Sequence, residues 1–196
     1  MIIGVTGTMG AGKGTILEYL ESIGFEYLST SNELRAEAAS RGIELTRENL
    51  QNLGRDMRNK EGGEFLAKKV LSKMAKGKDY IVDGIRNPAE INELRKKEWF
   101  FLVSVDAPAR LRFSRLSARN RERDPKTWDE FLKFEEIDNK SQDPNGQQNH
   151  ECMALADFAV YNDGDIGSVS EKIKEIVEHI KLMDKPGQIQ ESKELL

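Results

Sequence analysis

The feature that most constrains the fold is a glycine-rich stretch near the start of the chain, GVTGTMGAGKGT, residues 4–15. It contains five glycines, one lysine and no acidic residue. Glycine inside a helix or strand costs roughly 0.5 to 1 kcal/mol relative to alanine, so this cluster indicates a loop whose backbone bends sharply or is approached closely. A short apolar run precedes the loop (residues 2–5), and apolar residues at helical spacing follow it (residues 16–23). The order is therefore strand, glycine loop, helix.

The spacing Gly7, four residues, Gly12, Lys13 fits the phosphate-binding loop pattern, in which backbone N–H groups cradle phosphates and the lysine reaches the terminal ones. The N-terminus of the following helix adds a favourable dipole. The hydroxyl that usually follows the lysine comes one residue late, because Gly14 precedes Thr15. A plain glycine turn is the alternative; a dinucleotide-binding turn is disfavoured by the glycine spacing and the lysine. We predict nucleotide contacts from Gly7, Met9, Gly10, Ala11, Gly12, Lys13, Gly14 and Thr15.

Composition limits the classes of partner. The 196 residues include 30 basic and 34 acidic side chains, and a net charge of −4 provides no overall positive field for nucleic acid. The single cysteine, Cys152, excludes an internal disulfide and suits a reducing compartment. With no long apolar stretch and no signal peptide, we expect a cytoplasmic protein that binds neither nucleic acid nor membrane. The sequence leaves the oligomeric state open, and a monomer is favoured. We expect one folded domain over residues 1–183 and a flexible polar tail over 184–196.

Five apolar segments alternate with helical patterns, and they predict strands near 2–6, 25–29, 79–83, 99–105 and 157–161. This alternation indicates an α/β fold of three layers, with helices on both faces of a mostly parallel five-stranded sheet. Two charged intervals, about 30–76 and about 119–154, are longer than simple crossovers need. We expect them to be insertions that close over the substrate.

Polar residues follow the third predicted strand in the stretch YIVDGIR, which ends in Arg86. Ligands of parallel sheets bind at the carboxyl ends of the strands, so Asp83 would lie beside the glycine loop. A carboxylate there holds Mg²⁺, usually through water, and Thr15 is its natural hydroxyl partner. The alternative is an aspartate that only caps the helix after Asn87.

Six arginines lie between Arg110 and Arg123 in the stretch DAPARLRFSRLSARNRERD. Arg112, Arg115 and Arg119 fall on one helix face, where like charges repel unless an anion lies among them. We therefore predict phosphate contacts from Arg115 and Arg119. A solvated basic face accounts for Arg110, and Arg112 is the second candidate for that face.

Three stretches resemble the nucleoside monophosphate kinases, above all adenylate kinases: GTMGAGKGT, then STSNELR at 29–35, then VDGIR at 82–86. The last lacks the family's proline, and Ser31-Asn32 replaces its Gly-Asp. The resemblance implies that Thr30, Arg35 and Arg86 bind the phosphate acceptor and that Arg115 and Arg119 lie against ATP. It also implies that Arg121 and Arg123 are lid residues that reach the transferred group after closure. Glu90 stands where those enzymes have a base-reading glutamine, and a carboxylate there would favour a donor-rich base edge; a solvated glutamate is the alternative.

Two related families share further stretches. TRENLQNLGRDMR at 46–58 resembles deoxynucleoside monophosphate kinases, and ADFAVYNDG at 156–164 is similar to the close of dephospho-CoA kinases, where Asn162 and Gly164 would face the adenine of ATP. Together the resemblances imply a phosphotransferase that uses ATP and Mg²⁺. A monophosphate acceptor is favoured over dephospho-CoA, whose hydroxyl needs a base, because residues 29–32 include no carboxylate. A non-catalytic nucleotide-binding regulator is the alternative of another class.

Overall fold

A computed structural model describes residues 1–120, 124–139, 143–164 and 166–183. Its centre is a sheet of five parallel strands in the order β2-β3-β1-β4-β5. The strands are β1 (Ile2–Gly7), β2 (Glu26–Ser29), β3 (Tyr80–Asp83), β4 (Phe100–Asp106) and β5 (Phe158–Tyr161). Each predicted strand is confirmed to within a residue or two at its ends.

Helices cover both faces of the sheet, which confirms the three-layer α/β/α prediction. They are α1 (Lys13–Ser22), α2 (Thr30–Ser40), α3 (Arg47–Glu61), α4 (Phe65–Leu71), α5 (Pro88–Leu94), α6 (Ala109–Arg119), α7 (Trp128–Asn139), α8 (Asn149–Ala154) and α9 (Ile166–Leu182). No helix in these ranges has both the length and the apolar character needed to cross a membrane.

The core lies in two layers because successive side chains of a strand point to opposite faces. Ile3 and Val5 of β1 pack under α1 and α9, whereas Ile2 packs with α4, α5 and α8 on the other face. β1 is the central strand, flanked by β3 and β4. The loop after β1 therefore lies between the ends of the two neighbouring strands, β3 and β4.

The first predicted insertion, 30–76, consists of α2, α3 and α4 and has a small apolar cluster of its own. That cluster contains Ala38, Leu53, Met57, Phe65 and Leu66. It is separate from the two layers that cover the sheet.

The second predicted insertion, 119–154, is in part continuous with the core. Its helix α8 packs against β1 and β4, and Cys152 is buried in the core, where burial raises the pKa of its thiol. The preceding residues are fixed as well, because Asn87 Nδ2 donates to the carbonyls of Pro144 and Gly146 at 2.8 and 3.2 Å. The prediction that the lid extends to residue 154 is therefore wrong for residues 144–154. The predicted lid arginines Arg121 and Arg123, and the predicted tail 184–196, lie outside the described residues.

Candidate functional site

The loop between β1 and α1 has the backbone shape that its glycines predict. Gly7, Gly10 and Gly12 have φ values of 141°, 77° and 103°, in the region that side chains disfavour. A Cβ on Gly7 would lie 2.0 Å from the Val105 carbonyl oxygen, and one on Gly12 would lie 2.3 Å from Asn162 Nδ2. Gly12 is also the N-cap of α1 and has no side chain with which to cap it. The first N–H groups of α1 therefore remain available to an anion.

Lys13 folds back over this loop. Its Nζ donates to the carbonyls of Gly7 and Thr8 at 2.9 and 2.8 Å. Burial, with a further contribution from the Arg86 charge, lowers the pKa of Lys13 from 10.5 to about 8. Asp83 and Asp138 raise this pKa and Arg119 lowers it, so three cations and two carboxylates share one region next to the loop. An anion placed among the three cations would relieve their repulsion.

Asp83, the predicted magnesium residue, ends β3 beside the loop, opposite Val5 in the register. Its Oδ2 accepts a hydrogen bond from the Tyr27 hydroxyl at 3.3 Å, but its Oδ1 is buried without a partner. An unpaired buried carboxylate oxygen fits a ligand for a hard cation. No cluster of three His, Cys, Asp or Glu residues occurs in the described part of the chain, so a cation here would rely on phosphate oxygens as well.

The residues predicted to lie near the adenine come together behind the glycine loop. The Arg115 guanidinium donates to Asn162 Oδ1 at 2.9 Å and to the Gly164 carbonyl at 3.3 Å. Asn162 Nδ2 in turn donates to the Ala11 carbonyl at 2.8 Å. These contacts connect α6 and the end of β5 to the loop. Their role toward ATP stays a prediction.

A cleft of about 470 Å³ opens in front of the loop. It brings together three of the predicted phosphate ligands, Arg35, Arg86 and Arg119, which come from α2, from the segment after β3 and from the end of α6. The full lining is Met9, Ser31, Arg35, Arg47, Leu50, Gln51, Arg86, Arg119, Asp124, Asp138 and Gln147. The cleft is thus a cationic chamber with a few polar and apolar groups.

The arginines in this chamber differ in what they contact. Arg119 forms a two-pronged ion pair with Asp124, through Nε at 2.7 Å and Nη2 at 2.6 Å, and this hydrogen bonding raises the pKa of Arg119. Arg86 donates to Gln147 Oε1 at 3.3 Å, and no carboxylate among the described residues forms an ion pair with it. Among the described residues, no ion pair therefore neutralises the positive charge of Arg86 at the cleft wall.

Two predicted acceptor ligands do not face the cleft. Glu90 is fully buried: one carboxylate oxygen pairs with Arg58 Nη2 at 3.1 Å, and the other accepts from the backbone N–H groups of Arg86 and Asn87. The Thr30 hydroxyl is buried and donates to the Gly84 carbonyl at 2.6 Å. Glu90 and Thr30 shape the segment after β3 and do not line the acceptor cleft, which corrects the prediction for both; the solvated alternative for Glu90 is wrong as well.

The expectation of a solvated face for Arg112 is also wrong. Arg112 is buried, donates to the carbonyls of Ala107 and Met9, and forms an ion pair with Glu135 at 2.6 Å. It links the glycine loop to α7. Arg110 does lie at the surface, where its guanidinium stacks 3.8 Å above the centre of the Trp128 ring.

The structure adds cleft residues to which the sequence analysis gave no role. Arg47, Leu50 and Gln51 lie at positions i, i+3 and i+4 of α3, so they share one helix face. Their spacing within the stretch at 46–58 was the available signal. Asp138 reaches the same cleft from α7, and nothing in the local pattern of that charged helix distinguishes it from its neighbours.

Comparison with known proteins places this geometry in a family. The family profile described as an AAA domain matches residues 6–131. A UPF0200 protein of Thermococcus gammatolerans is 36% identical over 189 residues, covering 92% of this chain and 95% of that protein. The chain belongs to the UPF0200 family. The UPF0200 protein MJ1399 of Methanocaldococcus jannaschii is 31% identical over 186 residues, covering 92% of this chain and 90% of that protein.

Solved structures confirm the fold of this UPF0200 chain. A shikimate kinase from Acinetobacter baumannii superposes with a TM-score of 0.55 at 21% identity, covering 92% of this chain and 94% of that one. A protein from Eubacterium ventriosum superposes with a TM-score of 0.61 at 13% identity, covering 91% of this chain and 98% of that one. The fold is that of the P-loop kinases.

Proposed function

We propose that this UPF0200 protein transfers the γ-phosphoryl group of ATP to a nucleoside or deoxynucleoside monophosphate. The observation that carries the proposal is the cationic cleft beside the glycine loop, with Arg86 unpaired by any described carboxylate. Ion pairing within the described part of the chain does not account for that charge, and a bound phosphate monoester would neutralise it. A regulator that only binds nucleotide has no need of a second anion site.

The donor half rests on the loop and Lys13. The backbone N–H groups of the loop and of the first turn of α1 hold the phosphates, and Lys13 exchanges its two carbonyl contacts for phosphate oxygens. Asp83 and Thr15 are the residues that would hold Mg²⁺, which when bound with ATP neutralises charge on the phosphates. Arg115, Asn162 and Gly164 would lie toward the adenine, as the dephospho-CoA kinase resemblance suggests.

The acceptor half of the site has to orient the monoester oxygen toward the donor and to neutralise its negative charge. A phosphate monoester oxygen is already ionised at neutral pH, so no group has to remove a proton from it. Arg35 and Arg86 would hold the monoester with one oxygen toward the donor, and positioning of this kind supplies much of the barrier reduction in phosphoryl transfer. The developing charge would fall among Lys13, Arg86 and Arg119, of which the two arginines both lower the pKa of Lys13.

One observation favours a second acceptor class. The cleft contains the buried carboxylate of Asp138, and a carboxylate could take the proton of a hydroxyl acceptor such as that of dephospho-CoA. Asp138 accepts hydrogen bonds from Arg47 and Gln51, which occupy one lone pair of each carboxylate oxygen. The monophosphate acceptor remains the primary proposal because arginines outnumber carboxylates in the lining.

The test is a measurement of ADP formation with ATP-Mg²⁺ and a panel of ribo- and deoxyribonucleoside monophosphates plus dephospho-CoA. Lys13→Met should lower kcat by at least about 100-fold with the fold intact by circular dichroism, because lost stabilisation of developing charge costs about 3 to 4 kcal/mol. Lys68→Met is the matched control, since Lys68 lies at the surface and pairs with Glu64. Transfer to no monophosphate, or equal turnover by both variants, would contradict the proposal.

A further inference from the structure

The Arg47 side chain is 27% exposed, yet its guanidinium has several contacts that fix it in place. Its guanidinium stacks 4.3 Å from the centre of the Phe134 ring, its Nη2 donates to Asp138 Oδ2 at 2.5 Å, and its Nη1 lies 3.8 Å from Met9 Sδ. Phe134 and Asp138 belong to α7, whereas Met9 belongs to the glycine loop. Arg47 itself begins α3. Two parts of the chain outside α3, namely α7 and the glycine loop, therefore fix the plane of this side chain, which lines the cleft.

One donor of this guanidinium is left over. Arg47 Nε is buried and has no hydrogen-bond partner. Burying an unpaired donor is costly, and native structures seldom leave one without a reason. The placement of the charge is also unfavourable for the helix, since a cation at the first residue of α3 opposes the helix dipole. Asp138 already pairs with the charge of Arg47, but Nε still lacks an acceptor. The Arg47 side chain is 27% exposed and lines the cleft, so an anionic oxygen of the acceptor that draws the guanidinium toward the cleft would supply the missing partner.

Both described hydrogen bonds of the Asp138 carboxylate come from residues of α3. Its side chain is 5% exposed, its Oδ2 accepts from Arg47, and its Oδ1 accepts from Gln51 Nε2 at 3.2 Å. Gln51 lies one turn after Arg47 on α3. The carboxylate is thus clamped by two residues of one helix, and it sets the direction in which the Arg47 guanidinium points.

We infer that Arg47 is a further ligand for the acceptor phosphate and that Asp138 is the residue that positions it. The inference rests on the proposed phosphate-bearing acceptor. The acceptor site is then completed across both insertions, because Arg35 and Arg47 come from α2 and α3 while Asp138 comes from α7. The acceptor phosphate then accepts hydrogen bonds from Arg35 and Arg86 and also from the planar guanidinium of Arg47, which Asp138 orients.

The experiment is a double-mutant cycle on Arg47→Lys and Asp138→Asn with the best nucleoside monophosphate of the panel. Arg47→Lys keeps the charge but removes Nε and the planar fork. It should raise the acceptor KM about 10- to 100-fold, the range expected for one charge-assisted hydrogen bond, and leave the KM for ATP within about twofold. Asp138→Asn should raise the acceptor KM by a smaller factor, and it should add less than about twofold in the Arg47→Lys background.

Two variants serve as matched controls. Arg55→Lys changes an exposed arginine of α3, and Asp129→Asn changes an exposed aspartate of α7. Both should leave the acceptor KM unchanged. If the wild type phosphorylates monophosphates but Arg47→Lys leaves their KM unchanged, or raises both KM values equally, the inference is overturned and the proposed function stands. If Asp138→Asn is fully additive with Arg47→Lys, Asp138 does not act through Arg47. If the wild type transfers to no monophosphate, the proposed function fails and the inference with it.

Discussion

Glu90→Gln should destabilise the protein and should not alter which base it accepts. The Glu90 side chain is fully buried, and its partner Arg58 is only 5% exposed. A glutamine has the same shape but presents one amide nitrogen, so either Arg58 or the N–H groups of Arg86 and Asn87 lose their acceptor. Breaking a buried ion pair by removing one partner costs about 3 to 5 kcal/mol. For a chain of this length that corresponds to a Tm decrease of about 6 to 20 °C.

The assay is urea unfolding followed by tryptophan fluorescence, with Trp99 and Trp128 as reporters. Glu93→Gln is the control on the same helix, because Glu93, whose side chain is 14% exposed, pairs with Lys96, whose side chain is 69% exposed. A pair with one partner in solvent is screened and contributes up to about 1 kcal/mol, so this control should lose no more than that. If Glu90→Gln costs less than about 1 kcal/mol and changes the preference among monophosphates, Glu90 reads the acceptor base after all and the buried-pair argument is refuted.

Three further predictions concern the glycine loop. The folded chain holds Lys13 at a pKa of about 8, below the value of 10.5 for a solvated lysine. The unfolded chain therefore binds more protons at this residue between these values, so the Lys13 contribution to the free energy of unfolding, measured as wild type minus Lys13→Met, should rise from pH 8 to 10.5. Denaturation curves of both proteins at pH 7, 9 and 10 check this. Binding of ATP-Mg²⁺ at pH 9 should be accompanied by uptake of a proton, because bound phosphate favours the charged form of Lys13. Calorimetry in buffers of different ionisation enthalpy measures the number of protons taken up. Zero uptake would contradict the role of Lys13. Gly12→Ala should destabilise the loop and weaken ATP binding, because its Cβ would lie 2.3 Å from Asn162 Nδ2. Gly14→Ala is the control and should leave the Tm nearly unchanged, since a Cβ on Gly14 meets nothing within 4 Å.

The sheet and the glycine loop are predictable from the sequence because their signals are local. Apolar runs mark buried parallel strands, and glycine spacing marks a backbone with positive φ at Gly7, Gly10 and Gly12. The convergence of Arg35, Arg86 and Arg119 also follows, since each comes near the carboxyl end of a strand or at the end of the helix that follows one. These inferences need only short-range pattern and the topology of parallel sheets.

The remaining features depend on tertiary packing. Glu90 has the same local pattern whether it faces the cleft or the core, and only the position of Arg58 on α3 decides. Arg112 was expected on a solvated face because its partner Glu135 lies 23 residues later, beyond any local window. Asp138 is one of several acidic residues on α7, and its importance comes from Arg47 on a different insertion. Pairings between distant segments leave no periodic trace in the sequence.

The separate apolar cluster under α2, α3 and α4 has a consequence for how the family diverges. Because Leu53, Met57 and Phe65 pack with one another and not with the layers beneath the sheet, residues on the cleft side of these helices can be exchanged without disturbing the strands that carry the glycine loop. Under the proposed function, replacing cleft side chains such as Leu50 and Gln51 should change acceptor preference while donor binding is retained, although Leu50 also packs against the apolar cluster and Gln51 also holds Asp138. A library randomised at Gln51, with Leu50 restricted to apolar residues, should yield mostly folded proteins.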